Sequence, residues 1–197
     1  MTFRFVPTPL GAPLTLPSPR AGGLSPGLRD AFVPSGAREA ALARLSEPGA
    51  LAVTSGQQPG LFTGPLYTVH KALSTAALAR VLERRWSRPV VPIFWIAGDD
   101  HDYAEASHTA WIAADGSLVT TSLPPRPPDA PLTPMYRQPL GDGVLAALDE
   151  LAASLPPSEF RDDALAWLGR HYRPDATVAA AFAGAMAELL APAGVVC

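Results

Sequence analysis

Cysteine is nearly absent: the 197 residues hold one, Cys197. Neither a disulfide framework nor a cysteine zinc site can form within the chain, which is what a reducing cytoplasm leads one to expect. No apolar run approaches the ~20 residues of a membrane span, and frequent prolines in MTFRFVPTPLGAPLTLPSP break up any secretory h-region. A basic surface is missing too: the net charge is −3, which argues against a sequence-independent grip on nucleic-acid phosphates. Two familiar phosphate motifs are lacking. Gly60 and Gly64 lead to Pro65 rather than to GK[ST], and no GxGxxG follows a strand. Lysine is as rare as cysteine: of 15 basic residues only Lys71 is a lysine, a hint that a compact ammonium suits that position better than a guanidinium fork.

What is present suffices for a buried core, since 48% of the residues are hydrophobic. Residues 1–35, rich in Pro and Gly, read as an extended arm, followed by a short helix over about 36–46. Ala50–Thr54, apolar and stopped by Ser55-Gly56, reads as a buried strand. A glycine-bearing loop over 56–64 then leads to a helix from about Pro65 to Arg85, with Pro at its first turn and Thr63 or Gly64 as cap. Pro89–Ala97 reads as a second buried strand. Strand, loop, helix and strand make a βαβ unit with parallel strands. Downstream, Trp111–Ala113 and Ser117–Thr120 flank an Asp115-Gly116 turn as a hairpin. The segment 124–139 is a proline-rich loop, helices are expected near 143–154, 159–170 and 175–191, and Gly194-Val195-Val196 opens a further strand. The division is an arm with a short helix (1–48), a first βαβ unit (49–105), and a connecting segment with helices (106–197).

Two constellations can carry chemistry. In the helix after the glycine loop, Tyr67, His70, Lys71 and Ser74 recur at i, i+3, i+4 and i+7 and share a face, with Leu66, Val69, Leu73 and Ala77 as the apolar face. A polar stripe near the positive end of the helix dipole suits a phosphate or carboxylate; the same spacing also describes the solvated side of an amphipathic helix. The preceding loop favours the ligand reading, because Gln57 and Gln58, with Gly60, Thr63 and Gly64, lie at a strand's C-terminal end, where open α/β sheets bind ligands. The second constellation is Asp99-Asp100-His101-Asp102, with Glu105 and His108 following. Crowded carboxylates around an imidazole can provide a general base, with His101 or Asp100 handling a proton. The same acidic residues could cap the next helix, and His108 could be an ordinary hairpin residue. A metal-dependent hydrolase built on Asp100, His101, Asp102 and His108 and a non-catalytic small-molecule binder are the competing readings; no metal is assigned. Trp111, Trp167, Phe160 and Phe182 read as core, and Arg170, His171 and Arg173 as a helix C-terminal cluster.

TSGQQPGLFTGPLYTVHKAL (54–73), followed by PVVPIFWIAGDDHDYAEASHT (89–109), resembles the paired signature of the bacillithiol-biosynthesis cysteine-adding enzyme family, BshC. Ser55 and Asp99 depart from its commoner TGQQ and Glu-Asp forms but keep the chemical type. The resemblance implies an α/β fold: a Rossmann-like parallel core with an inserted hairpin and helical segment, of which this chain is the N-terminal portion, ending before the rest of the core and a dimerising C-terminal coiled coil. It implies ligation of cysteine to glucosaminyl-malate through an amide, in a protein that forms homodimers. Gln57, Gln58, Gly64, Tyr67, His70, Lys71, Asp100, His101 and Asp102 occupy the family's cleft motifs. ATP is expected from energetics alone, because amide formation from a free carboxylate is uphill in water.

Overall fold

The computed structural model describes Leu16, Ser18 and residues 24–197; the expected arm over 1–35 falls mostly outside these. Its described end holds one unanticipated helix, α1 (Pro26–Asp30), capped by Ser25. Then follow α2 (Arg38–Leu45), β1 (Leu51–Gln57), a single 3-10 turn (Leu61–Thr63), α3 (Tyr67–Trp86) and β2 (Val90–Ile96). After these come α4 (Tyr103–Ala106), β3 (His108–Ile112), β4 (Leu118–Ser122), α5 (Gly143–Ser154), α6 (Arg161–His171) and α7 (Val178–Leu190).

β1 and β2 pair in parallel from Leu51↔Val90 to Gln57↔Ile96, the crossover being α3. β1 thus runs three residues past its expected stop. Gly56 lies inside the strand, opposite Trp95, and a Cβ there would come within 2.8 Å of the Trp95 Cβ and carbonyl oxygen. At the other edge of β2, Val196 bridges Ile93 in parallel, so the third strand opens where the apolar triplet indicated. Cys197 closes this edge by accepting a hydrogen bond from the Val33 amide.

Residues two apart on a strand share a face, and the two faces are covered differently. Leu51 and Val53 with Val90, and Phe94 with Ile96, pack on α3 through Ala72, Ala76, Ala79 and Leu82. Val91, Ile93 and Val196 pack on Phe32, Ala41 and Leu42. This corrects the expected apolar face of α3: Leu66 and Leu73 are exposed, while Thr68, Ala72, Thr75, Ala76 and Ala79 are buried. Small side chains let the helix axis come close to the sheet, which the bulkier leucines would prevent. The expected cap is also corrected. Leu66 is the N-cap of α3, with no side-chain cap bond, and Thr63 is buried with φ of 72°.

β3 and β4 form the antiparallel hairpin, His108↔Ser122 to Ile112↔Leu118, which extends past expectation at its open end and stops one residue short of it on each strand at the turn. Asp115 Oδ1 accepts from the Ser117 amide and hydroxyl, shaping the turn. Helices α5 to α7 fall within a few residues of expectation and form a second core around Val144, Leu151, Leu168, Tyr172 and Val178. Phe182 is fully buried, whereas Phe160 is 68% exposed, a correction to its expected place in the core; it stands just before α6, at the N-cap. Among the described residues no helix is long and apolar enough to cross a membrane.

Candidate functional site

Because Gln57 and Ile96 are register partners, the loops leaving both strands emerge at one rim of the sheet. The Ala97 amide donates to the Gln57 carbonyl, 3.1 Å away, and ties the two loops at their roots.

The glycine loop then makes an unusual turn. Phe62 (φ 49°), Thr63 (φ 72°) and Gly64 (φ 68°) are consecutive left-handed residues. Such conformations persist for non-glycine residues only where the surroundings hold them. The holder is Tyr172, the fully buried residue just after α6. Its hydroxyl donates to the Gly60 carbonyl (2.9 Å) and accepts from the Thr63 amide (2.7 Å). Its ring meets Phe62 edge to face, at 5.2 Å between centroids. Each hydrogen bond contributes about 1 kcal/mol net, and leaving either buried loop group unpaired costs more. Burial pushes the Tyr172 phenol well above its ordinary value, so it stays protonated and able to donate. Within the turn the Gly60 and Gly64 backbones nearly touch: a Cβ on Gly60 would lie 3.1 Å from the Gly64 Cα.

This loop forms one wall of a cavity of about 290 Å³. Gln57, Gln58, Gly60, Gly64 and Tyr67 lie on one side, and Glu105, His108 and Thr109 of the α4–β3 segment on the other. The Gln58 Nε2 is shut off from solvent with no hydrogen-bond partner. A buried amide donor in this state carries a desolvation cost that a small shift of the loop could relieve. At the back of the same rim, the Lys71 Nζ donates to the Gly56 carbonyl (2.9 Å) and to Gln57 Oε1 (3.0 Å) and lies 5.6 Å from the Tyr67 ring centroid. Across the cavity, the His108 Nδ1 is 2.8 Å from the Ala104 carbonyl oxygen. A carbonyl only accepts, so Nδ1 carries the proton and Nε2 of the neutral ring is left as the acceptor.

The acidic segment is arranged differently. Asp100 Oδ1 accepts from the Asp102 amide (2.9 Å), and Asp102 Oδ1 accepts from the Glu105 amide (3.0 Å) as the N-cap of α4. His101 and Asp102 line a second cavity, of about 740 Å³, between α4 and the proline-rich loop. There the Tyr103 hydroxyl donates to the Pro124 carbonyl, and the Arg126 guanidinium lies over the Tyr103 ring. Burial raises the Tyr103 phenol above its usual range, against a smaller opposing effect of Arg126.

Of the residues singled out in the sequence, the structure therefore brings Gln57, Gln58, Gly60, Gly64, Tyr67 and His108 to one cavity, with Lys71 at its margin. Thr63 is buried behind the loop. His70 and Ser74 are exposed on α3, where the Ser74 hydroxyl donates to the His70 carbonyl, and neither lines the two cavities. Among the described residues no three His, Cys, Asp or Glu side chains converge as metal ligands would. Glu105 was noted beside the acidic cluster without a role in the site, and Tyr172 was not noted at all. Glu105, three residues before His108, joins it at the cavity; Tyr172 carries no local signal.

The sequence profile described as "Bacillithiol biosynthesis BshC, N-terminal Rossmann-like domain" matches residues 29–197. Relatives provisionally named cysteine ligase BshC agree with it. The Salinibacter ruber protein is 38% identical over 152 residues, 77% of this chain and 27% of that protein. The Heliobacterium modesticaldum protein is 40% identical over 118 residues (60% and 21%), and that of a Geobacillus species 49% identical over 84 residues (43% and 15%). The chain thus spans about a quarter of the length of the first two relatives.

Proposed function

Because this chain belongs to the BshC family of bacillithiol biosynthesis, matching its N-terminal Rossmann-like domain, we propose that it supplies the substrate cavity of a cysteine ligase. The reaction joins the carboxyl carbon of cysteine to the amine of glucosaminyl-malate in the cytoplasm: a carbon–nitrogen bond forms, a carboxyl carbon–oxygen bond breaks, and that oxygen leaves on the phosphate split from ATP. The observation that carries the proposal is the shared cavity, lined by Gln57, Gln58 and the glycine loop on one side and by Glu105 and His108 on the other.

In this reading Gln57, Gln58 and the loop backbone orient the substrate, and His108 Nε2 takes the proton that the attacking amine loses as the amide forms. Asp102, by capping α4, sets the direction from which Glu105 and His108 meet the loop. A nucleoside triphosphate, ATP, would supply the free energy of condensation, and Lys71, beside the anion-favouring start of α3, is the cation suited to its phosphates. Homodimerisation through a coiled coil outside this chain belongs to the same proposal. The test is to incubate the purified protein, as its gene encodes it, with cysteine, glucosaminyl-malate and ATP. Appearance of the thiol product by mass is expected; no product with or without ATP contradicts the reading.

A further inference from the structure

We infer that Tyr172 is a positioning residue for the substrate loop, so that the helical segment behind the cavity sets the shape of the cavity wall. Its hydroxyl is the partner of two backbone groups, the Gly60 carbonyl and the Thr63 amide, that bracket the left-handed turn. The tyrosine lies more than a hundred positions away in sequence, between α6 and α7, in the core cluster that also contains Leu61 and Phe62. Nothing local to the loop replaces this bond: the turn's own backbone bond runs from the Gly64 amide to the Leu61 carbonyl and leaves Gly60 and Thr63 out. Gly60 and Gly64 both line the cavity, so any relaxation of the turn moves the wall that carries Gln57 and Gln58. The inference rests on the reading of this cavity as the substrate site.

Tyr172→Phe keeps the ring against Phe62 and removes only the hydroxyl. The protein should remain cooperatively folded, the Thr63 amide should lose protection from hydrogen exchange, and kcat/KM should fall by about a hundredfold, chiefly through KM. Leu151→Ala, in the same core cluster but away from the loop, is the control: it should lower the melting temperature at least as much and leave kcat/KM within about twofold. Unchanged Thr63 protection in Tyr172→Phe, or a loss of kcat/KM no greater than in Leu151→Ala, overturns the inference. Should the phenylalanine variant not fold, exchange in the unaltered protein decides: a Thr63 amide that exchanges like an open-loop amide refutes the bond, and strong protection supports it. If the unaltered protein makes no amide product, the proposed function fails, and Thr63 exchange still tests the staple separately.

Discussion

The two loops at the rim of the sheet differ in where their polar groups are spent. In the acidic loop two of the carboxylates are used close to home: Asp100 on the Asp102 amide, Asp102 on the Glu105 amide. In the glycine loop the backbone is held from a distance by Tyr172, and the Gln58 side-chain nitrogen Nε2 has no hydrogen-bond partner. A dense cluster of ionisable residues can thus be structural, while a loop of neutral residues lines the candidate cavity.

The sharpest way to break this comparison is a pair of histidine substitutions. His108→Ala should lower kcat by about a hundredfold or more, as expected for loss of a general base. His101→Ala should stay within about twofold, the usual range for a surface change; equal losses, or the reverse order, would place the chemistry in the acidic loop. Gly64→Ala comes next. With φ of 68° and ψ of −158°, this residue lies in a region open essentially to glycine alone, and the variant should lose about 1–3 kcal/mol in denaturant unfolding. A loss below a few tenths would mean that the turn is not held as described.

Alkaline pH sharpens the contrast further, because Tyr172 is held protonated by burial while the unfolded chain ionises near its ordinary value. The folded state then binds more protons above that value, so stability falls as pH rises, by about 1.4 kcal/mol per pH unit from near pH 10. This component should be missing from Tyr172→Phe in urea titrations; identical pH profiles would contradict the buried phenol. The smallest effect expected is for Asp102: alanine should cost about 1 kcal/mol and asparagine much less, since both Asp and Asn cap helices well. Equal losses for the two would show that charge, not capping, is what Asp102 contributes.

These outcomes separate what the sequence could reveal from what it could not. β1, β2, α3 and the hairpin were legible because apolar runs bounded by Gly and Pro are local signals. The apolar face of α3 was misjudged because packing against the sheet favoured alanine and threonine over leucine, a preference set by the distance between layers rather than by periodicity. Gln57 and Gln58 could be placed at the cavity from the strand-end position of their loop, and Tyr67 from the polar stripe at the start of α3. The partition of the acidic segment between two cavities could not, because it depends on α4, a single turn that Asp102 caps. Tyr172 was invisible for the same reason: its function is a contact between distant parts of the chain.

Hydrogen exchange with and without substrate tests most directly whether the glycine loop and the α4–β3 segment share one ligand. The account predicts that substrate protects residues 57–64 and 105–110 together and leaves 122–132 unchanged. Protection of 101–104 and 122–132 with no change at 57–64 would contradict it.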